Sequence, residues 1–180
     1  MDEVIDILDD NGNYTGKTCL KSEAHKYGRF HPTVHIWLYT SDKKILLQKR
    51  AATKKVFPGL WDISVAGHVA AGEKIETAAI REIKEEINFD ITPDQLHKIG
   101  TRKHQVNHAN GIIDNEFHHV YIAQLTVSVK ELTVQKEEVD SLKLFELEIL
   151  ENTKDLENIL LPRFHDYYCF VYNEISKLLN

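Results

Sequence analysis

GHVAAGEKIETAAIREIKEEINF, running from Gly67 to Phe89, is the stretch on which the fold turns. Ile75, Ala79, Ile83 and Ile87 recur every four residues, and Ala78 and Ile80 fill the flank. That spacing predicts a helix over Ile75–Ile87 with one apolar face. Asn88 follows, a residue that tolerates the left-handed conformation in which helices end. Glu82, Glu85 and Glu86 stand at i, i+3 and i+4, so their carboxylates share a face. A run of charge is usually a solvated face, but here the relieving bases are scarce. Arg81 reaches Glu85, whereas Lys84 has Asn88 ahead and Ile80 behind. Three converging carboxylates without matched bases predict an all-oxygen site for Mg²⁺ or Mn²⁺.

Working outward, Val4–Leu8 reads as a strand closed by a turn at Asp9–Asn13, where Asn11-Gly12 suits a two-residue hairpin with positive φ at both positions. Residues 33–40 (TVHIWLYT) and 44–49 (KILLQK) are strands joined by Ser41–Lys43, and a loop follows over Ala51–Pro58. Trp61–Val69 is strand-like again. After the helix, Leu96–Gln105 and Glu116–Val129 read as strands separated by a surface loop over Val106–Asn115, and Glu138–Phe145 as a last strand. Phe164, Tyr168, Val171, Ile175 and Leu178 are spaced for a C-terminal helix. Strands, helix, strands, helix is the order of an α+β or α/β sandwich, not of a doubly wound sheet.

At 180 residues the expectation is one domain, 1–180, large enough for a proper core. With 28% charged and 42% apolar side chains, disorder and coiled coil describe it poorly. There are 28 acidic against 22 basic residues, a net charge of -6, which disfavours a nucleic-acid polymer held by phosphate neutralisation. Neither a basic, apolar leader nor a membrane-length apolar run is present, and Cys19 and Cys169 read as two reduced thiols. The expectation is a cytoplasmic protein with no membrane partner, and a homodimer is the default assembly.

Gly67, Glu73, Arg81, Glu82, Ile83, Glu85, Glu86 and Phe89 carry the spacing of the Nudix box, with Asn88 where that pattern has glycine. The chain therefore resembles the Nudix hydrolase superfamily. The resemblance implies a Nudix fold, an α/β/α sandwich with a mixed sheet, and metal-dependent cleavage of a P–O–P bond in a nucleoside- or other X-linked diphosphate. It implies that Glu82, Glu85 and Glu86 hold the metal or activate water, with Glu82 as the base or a metal-bridging residue, Arg81 orienting it, Glu73 pairing with Arg81, the Gly67 carbonyl completing the metal shell, and Glu116 counted among the metal ligands.

A second resemblance covers Lys21 to Glu116. Lys21, His25, His31, Gln48–Ala51, Lys54-Lys55, Phe57–Trp61, Gly67-His68 and Gly111–Glu116 are similar to isopentenyl-diphosphate isomerases and hydrolase-like relatives. It implies a second metal site at His25, His31, His68, Asp114 and Glu116, and diphosphate contacts from Lys21, Arg50 and Lys54. Isomerases place a proton-transferring cysteine before the Gly-His pair; this chain has Ala66 there. Alanine transfers no proton, and the box is nearly complete, so both departures favour hydrolysis. An isomerase and a non-catalytic nucleotide- or metal-sensing module remain the alternatives.

Of the other histidines, His35 on an apolar strand reads as packed, and His118 and His119 face opposite sides, so at most one joins a site. His97, His104, His108 and His165 carry no spacing signal. Trp37, Phe57 and Trp61 suit either a base or prenyl contact or the core.

Overall fold

The structure is a computed structural model that describes residues 2–152, 159–160 and 164–179. Its strands are β1 (Val4–Leu8), β2 (Tyr14–Leu20), β3 (His31–Tyr39), β4 (Lys44–Arg50), β5 (Trp61–Asp62), β6 (Val65–His68), β7 (His97–Asn107), β8 (Ile113–Gln124) and β9 (Val139–Glu146). The helices are α1 (Lys21–Tyr27), α2 (Ile75–Ile87) and α3 (His165–Leu179). β1 and β2 form a hairpin; the other strands make a seven-stranded mixed sheet in which β3 and β8 run parallel.

β3 is buried on both faces, which is why it reads as an almost unbroken apolar run. Val34, Ile36 and Leu38 point to one side, where Ala79, Ile83 and Ile87 of α2 cover them. Trp37 and Tyr39 point to the other, beneath Tyr168, Val171 and Ile175 of α3. The α/β/α sandwich with a mixed sheet is thus the architecture. α2 ends at Asn88, which adopts φ 53, ψ 37 and returns its N–H to the Lys84 carbonyl at 3.0 Å. Replacing Asn88 by Ala should cost about 1 kcal/mol, since an ordinary L-residue pays for that conformation, while Gly should leave stability within about 0.5 kcal/mol. Urea midpoints at unchanged m-value measure both.

Several boundaries differ from the sequence reading. β7 and β8 pair out to Asn107 and Ile113, leaving only 108–112 of the expected loop, and β8 ends at Gln124. Trp61–Val69 is two short strands because Ile63 and Ser64 turn away between them. β2 and α1 leave no periodic pattern in the sequence: β2 is exposed along nearly its whole length, and α1 is barely two turns long. At Asp9–Asn13 only Gly12 takes positive φ, 84°. The turn is instead a wider loop, with the Asp9 carboxylate accepting the N–H groups of Asn11 and Asn13 at 2.9 Å each. Cys19 and Cys169 are free and partly buried. No described helix is long and apolar enough to cross a membrane.

Candidate active site

β3 keeps β8 along one edge, but on the other it pairs with β6 at Thr33–Ile36 and with β4 at Tyr39. The sheet forks between these partners. Ser64 fills the crotch, accepting the Leu38 N–H at 2.8 Å and donating to the Leu46 carbonyl at 2.5 Å. Residues from both prongs, Arg50 and Asp62 on one and Ala66 to His68 on the other, line a cleft of about 1120 Å³.

α2 lays its carboxylates into that cleft. A β-carbon on Gly67 would lie 2.0 Å from Glu82 Cδ, so only glycine lets Glu82 sit there. Arg81 ties the acids together with four bonds from its guanidinium and gives a fifth to a backbone carbonyl. Nε and Nη2 donate to the two Glu73 oxygens at 3.0 and 2.9 Å, and Nη2 also to the His68 carbonyl at 3.0 Å. Nη1 donates to Glu82 Oε1 at 2.8 Å and Glu85 Oε2 at 3.1 Å. Glu73 in turn accepts the Ala70 N–H, closing the loop before the helix.

Electrostatically the three glutamates are unlike. Glu82 and Glu86 are only 9% and 5% exposed, whereas Glu85 faces solvent. Burial pushes the Glu82 carboxyl up against the pull of Arg81. Burial, with Glu82 close by, pushes Glu86 up to about 8. Its hydrogen-bond donor is Gln48 Nε2 at 3.1 Å from β4, a contact with no local signal in the sequence. Glu73 is held low by the Arg81 hydrogen bonds.

Histidines gather farther along the cleft. The parallel register sets His31 opposite Glu116 and the antiparallel one sets His68 opposite Thr33. His25, His31, His68 and Glu116 each present a donor atom within 4.8 Å of the others. His31 donates Nδ1–H to the Arg29 carbonyl at 2.8 Å, and its Nε2 is buried 3.6 Å from Glu116 Oε1 without a hydrogen bond. Asp114 stands behind this group. One oxygen is 2.9 Å from His25 Nδ1 and the other accepts from His108 Nε2 at 2.6 Å. Glu116 therefore falls with the histidines and not beside the α2 glutamates; burial would raise it, but His118 and His31 hold it well below the usual carboxylate range.

The expected diphosphate cations all line the cleft in differing states. Arg50 donates to Asp62 at 2.8 Å and to the Val56 carbonyl at 3.0 Å, and Lys54 pairs with Glu138. Lys21 has no carboxylate partner among the described residues. Phe57 and Trp61 line the cleft, while Trp37 is fully buried against Tyr167 and Tyr168.

The profile of the NUDIX domain matches residues 29–166. An uncharacterized Nudix hydrolase of Clostridium acetobutylicum is 34% identical, over 99% of this chain and 88% of its own. Isopentenyl-diphosphate Delta-isomerase 2 of Photorhabdus laumondii is also 34% identical, over 79% of this chain and 77% of its own. A crystal structure from Deinococcus radiodurans shares the fold, with a TM-score of 0.68 at 20% identity over 92% of this chain and 97% of that one. A profile match over most of the chain, and a Nudix hydrolase 34% identical over 99% of it, make this protein a member of the Nudix hydrolase family.

Proposed function

We propose that the protein is a divalent-cation-dependent diphosphohydrolase that cuts a P–O–P bond in a nucleoside- or other X-linked diphosphate, with residues 1–180 acting as one Nudix domain. The observation that carries this is Glu82, buried against Gly67 and oriented by Arg81 at the head of a cleft that also holds Glu85 and Glu86. Supporting one domain, the segment before the profile match is bonded to the box: Ala71 N–H to the Val4 carbonyl and Gly72 N–H to Asp6, at 2.9 and 2.8 Å.

The donor set fits a hard cation. Glu82, Glu85, Glu86 and the Gly67 carbonyl offer only oxygen, the chemistry that suits Mg²⁺ or Mn²⁺. Burial beside Glu82 raises the Glu86 carboxyl, and a positive charge held between the two would favour the ionised form of both. Held by these oxygens, a divalent cation would supply charge neutralisation of the diphosphate and a more acidic water. The chain's own residues do the rest. Glu82 takes the proton of the attacking water as the new O–P bond forms and the bridging P–O bond breaks. Arg81 fixes the Glu82 carboxylate by one hydrogen bond while its fork grips Glu73. Lys21, Arg50 and Lys54, which line the same cleft, neutralise the phosphates. By the same chemistry, His25, His31, His68 and Glu116, with Asp114 orienting His25, are the ligands of a second, nitrogen-rich metal site.

Ala66 weighs against the isomerase reading. It lines the cleft opposite His35 in the sheet and carries no proton to transfer. Isopentenyl diphosphate with the metal-loaded protein should yield no dimethylallyl diphosphate; its appearance at enzymatic rates would reverse the choice. The proposal itself is tested by incubating the full chain and Mg²⁺ with nucleoside diphosphate sugars such as ADP-ribose, dinucleoside polyphosphates and prenyl diphosphates. At least one class should be cleaved at the anhydride. Tight binding without turnover across the panel would instead identify a sensing module.

A further inference from the structure

We infer that His35, His118 and Glu116 form a further divalent-metal position, back to back with the His25–His31–His68 group and sharing Glu116 with it. The inference adds to the reading of His25, His31 and His68 as ligands, and the experiment below separates the failure of one from the failure of the other.

Strand alternation explains the placement. Odd residues of β3 and even residues of β8 share the α3 side of the sheet, and deeper along that side they are Trp37, Val120 and Ile122 of the core. His35 and His118 occupy the next positions out, where the core gives way to the cleft. Apolar side chains would serve packing better there. Instead the two imidazoles stack, ring centres 3.8 Å apart, and with Glu116 they present donor atoms within 4.8 Å of one another. Ligands about 2.0–2.1 Å from a tetrahedral ion stand roughly 3.4 Å apart, so a contraction of at most about 1.4 Å closes the set.

Three details favour a cation over a packed cluster. His118 is 3% exposed, and its Nδ1 is buried with no hydrogen-bond partner, an expense that a ligand using the ring would remove. His35 is anchored by the other nitrogen: Nδ1 lies 3.1 Å from the Tyr167 hydroxyl, which already accepts Trp37 Nε1–H at 2.9 Å. In the tautomer that donates Nδ1–H to that hydroxyl, Nε2 offers its lone pair, the outer-shell arrangement of metal-binding histidines. Finally, Glu116 turns its two oxygens to different groups, Oε1 to His31 Nε2 at 3.6 Å and Oε2 to His118 Nε2 at 2.8 Å. That is the disposition of a bridging carboxylate. Its ion-pair partners among the described residues are these histidines; Arg102, across from His118 in the sheet, acts on His35 and His104 without pairing with the Glu116 carboxylate.

Two histidines and a carboxylate with open positions make a zinc-type centre, and imidazole selects zinc or cobalt where the oxygen-only glutamates select magnesium. All three residues line the cleft, so an ion held by them would be within reach of an oxygen of the bound substrate. His104 packs beside them, its ring centre 4.7 Å from that of His118.

The test is Co²⁺ binding to the metal-stripped full chain, in excess Mg²⁺ to occupy the glutamates, read by visible absorption and equilibrium dialysis. Two Co²⁺ should bind tightly to the parent protein and one each to His35→Asn, His118→Asn and His25→Asn. Glu116→Gln should weaken both ions at least about tenfold. Two ions in His35→Asn and His118→Asn would overturn the inference. So would a single ion lost in His25→Asn but kept in the other two, which leaves the His25 group standing. A single ion with the reverse pattern supports the inference and removes the His25 group; no ion at all removes both. Should the variants not fold, the parent protein with two Cu²⁺ should show the half-field resonance of a coupled pair. Two ions without it would overturn the shared carboxylate.

Discussion

Glu82→Gln is expected to lower turnover of a diphosphate substrate by about 10³-fold or more while leaving the protein folded. The change removes one charge and no volume, so the close seat against Gly67 and the hydrogen-bonding reach to Arg81 survive in shape. What disappears is a proton acceptor, commonly about 10²–10⁴-fold, together with one anionic oxygen for the cation. The loss should fall on kcat more than on KM, because Glu82 acts on the water and Lys21, Arg50 and Lys54 hold the phosphates. Glu85→Gln should cost less, since Glu85 is about half exposed and water can replace part of what it does. Activity within tenfold of the parent in Glu82→Gln would remove Glu82 from the chemistry.

Arg81→Ala should destabilise the fold by about 3 kcal/mol, the lower end of the cost of breaking a buried ion pair, because the side chain is 28% exposed. The deletion leaves Glu73 and Glu82, whose side chains are 15% and 12% exposed, without their cation, and the His68 carbonyl without its donor. Urea unfolding at neutral pH measures the loss, and a difference below about 1 kcal/mol would mean the network is solvated enough to be replaced. The pH dependence gives an independent check. Arg81 holds Glu73 below its ordinary 4.5, so this part of the stability is complete above that value. It drains away as pH falls through the lower folded value, and the gap between parent and variant should narrow with it. Arg81→Lys should not rescue, since an ammonium cannot span two carboxylates and a carbonyl in one plane.

The sandwich and the box were legible because their signals are local. The four-residue recurrence of Ile75, Ala79, Ile83 and Ile87 survives as the buried face of α2, and Asn88 ends the helix as a glycine would. The site was legible only in part, because much of it depends on strand register, which one sequence does not display. Gln48 meets Glu86 because β4 crosses the fork, and nothing near Gln48 announces that. Likewise His35, which reads as packing on an apolar strand, becomes a neighbour of His118 only through the parallel pairing of β3 with β8. His108 carries no spacing signal, yet a tight turn returns it to Asp114. Conversely, β2 and α1 were missed because they bury too little to leave a periodic pattern, even though α1 delivers Lys21 and His25 to the cleft.

The central claim is that water attacks phosphorus in a cation-dependent reaction at the α2 glutamates. Phosphorus NMR of the best substrate of the panel, turned over in ¹⁸O-labelled water, tests it most directly. The isotope-shifted signal should appear in one phosphate product. Turnover should stop with EDTA and return when Mg²⁺ is added. Label recovered only in the X group, or turnover that persists in EDTA, would contradict the account.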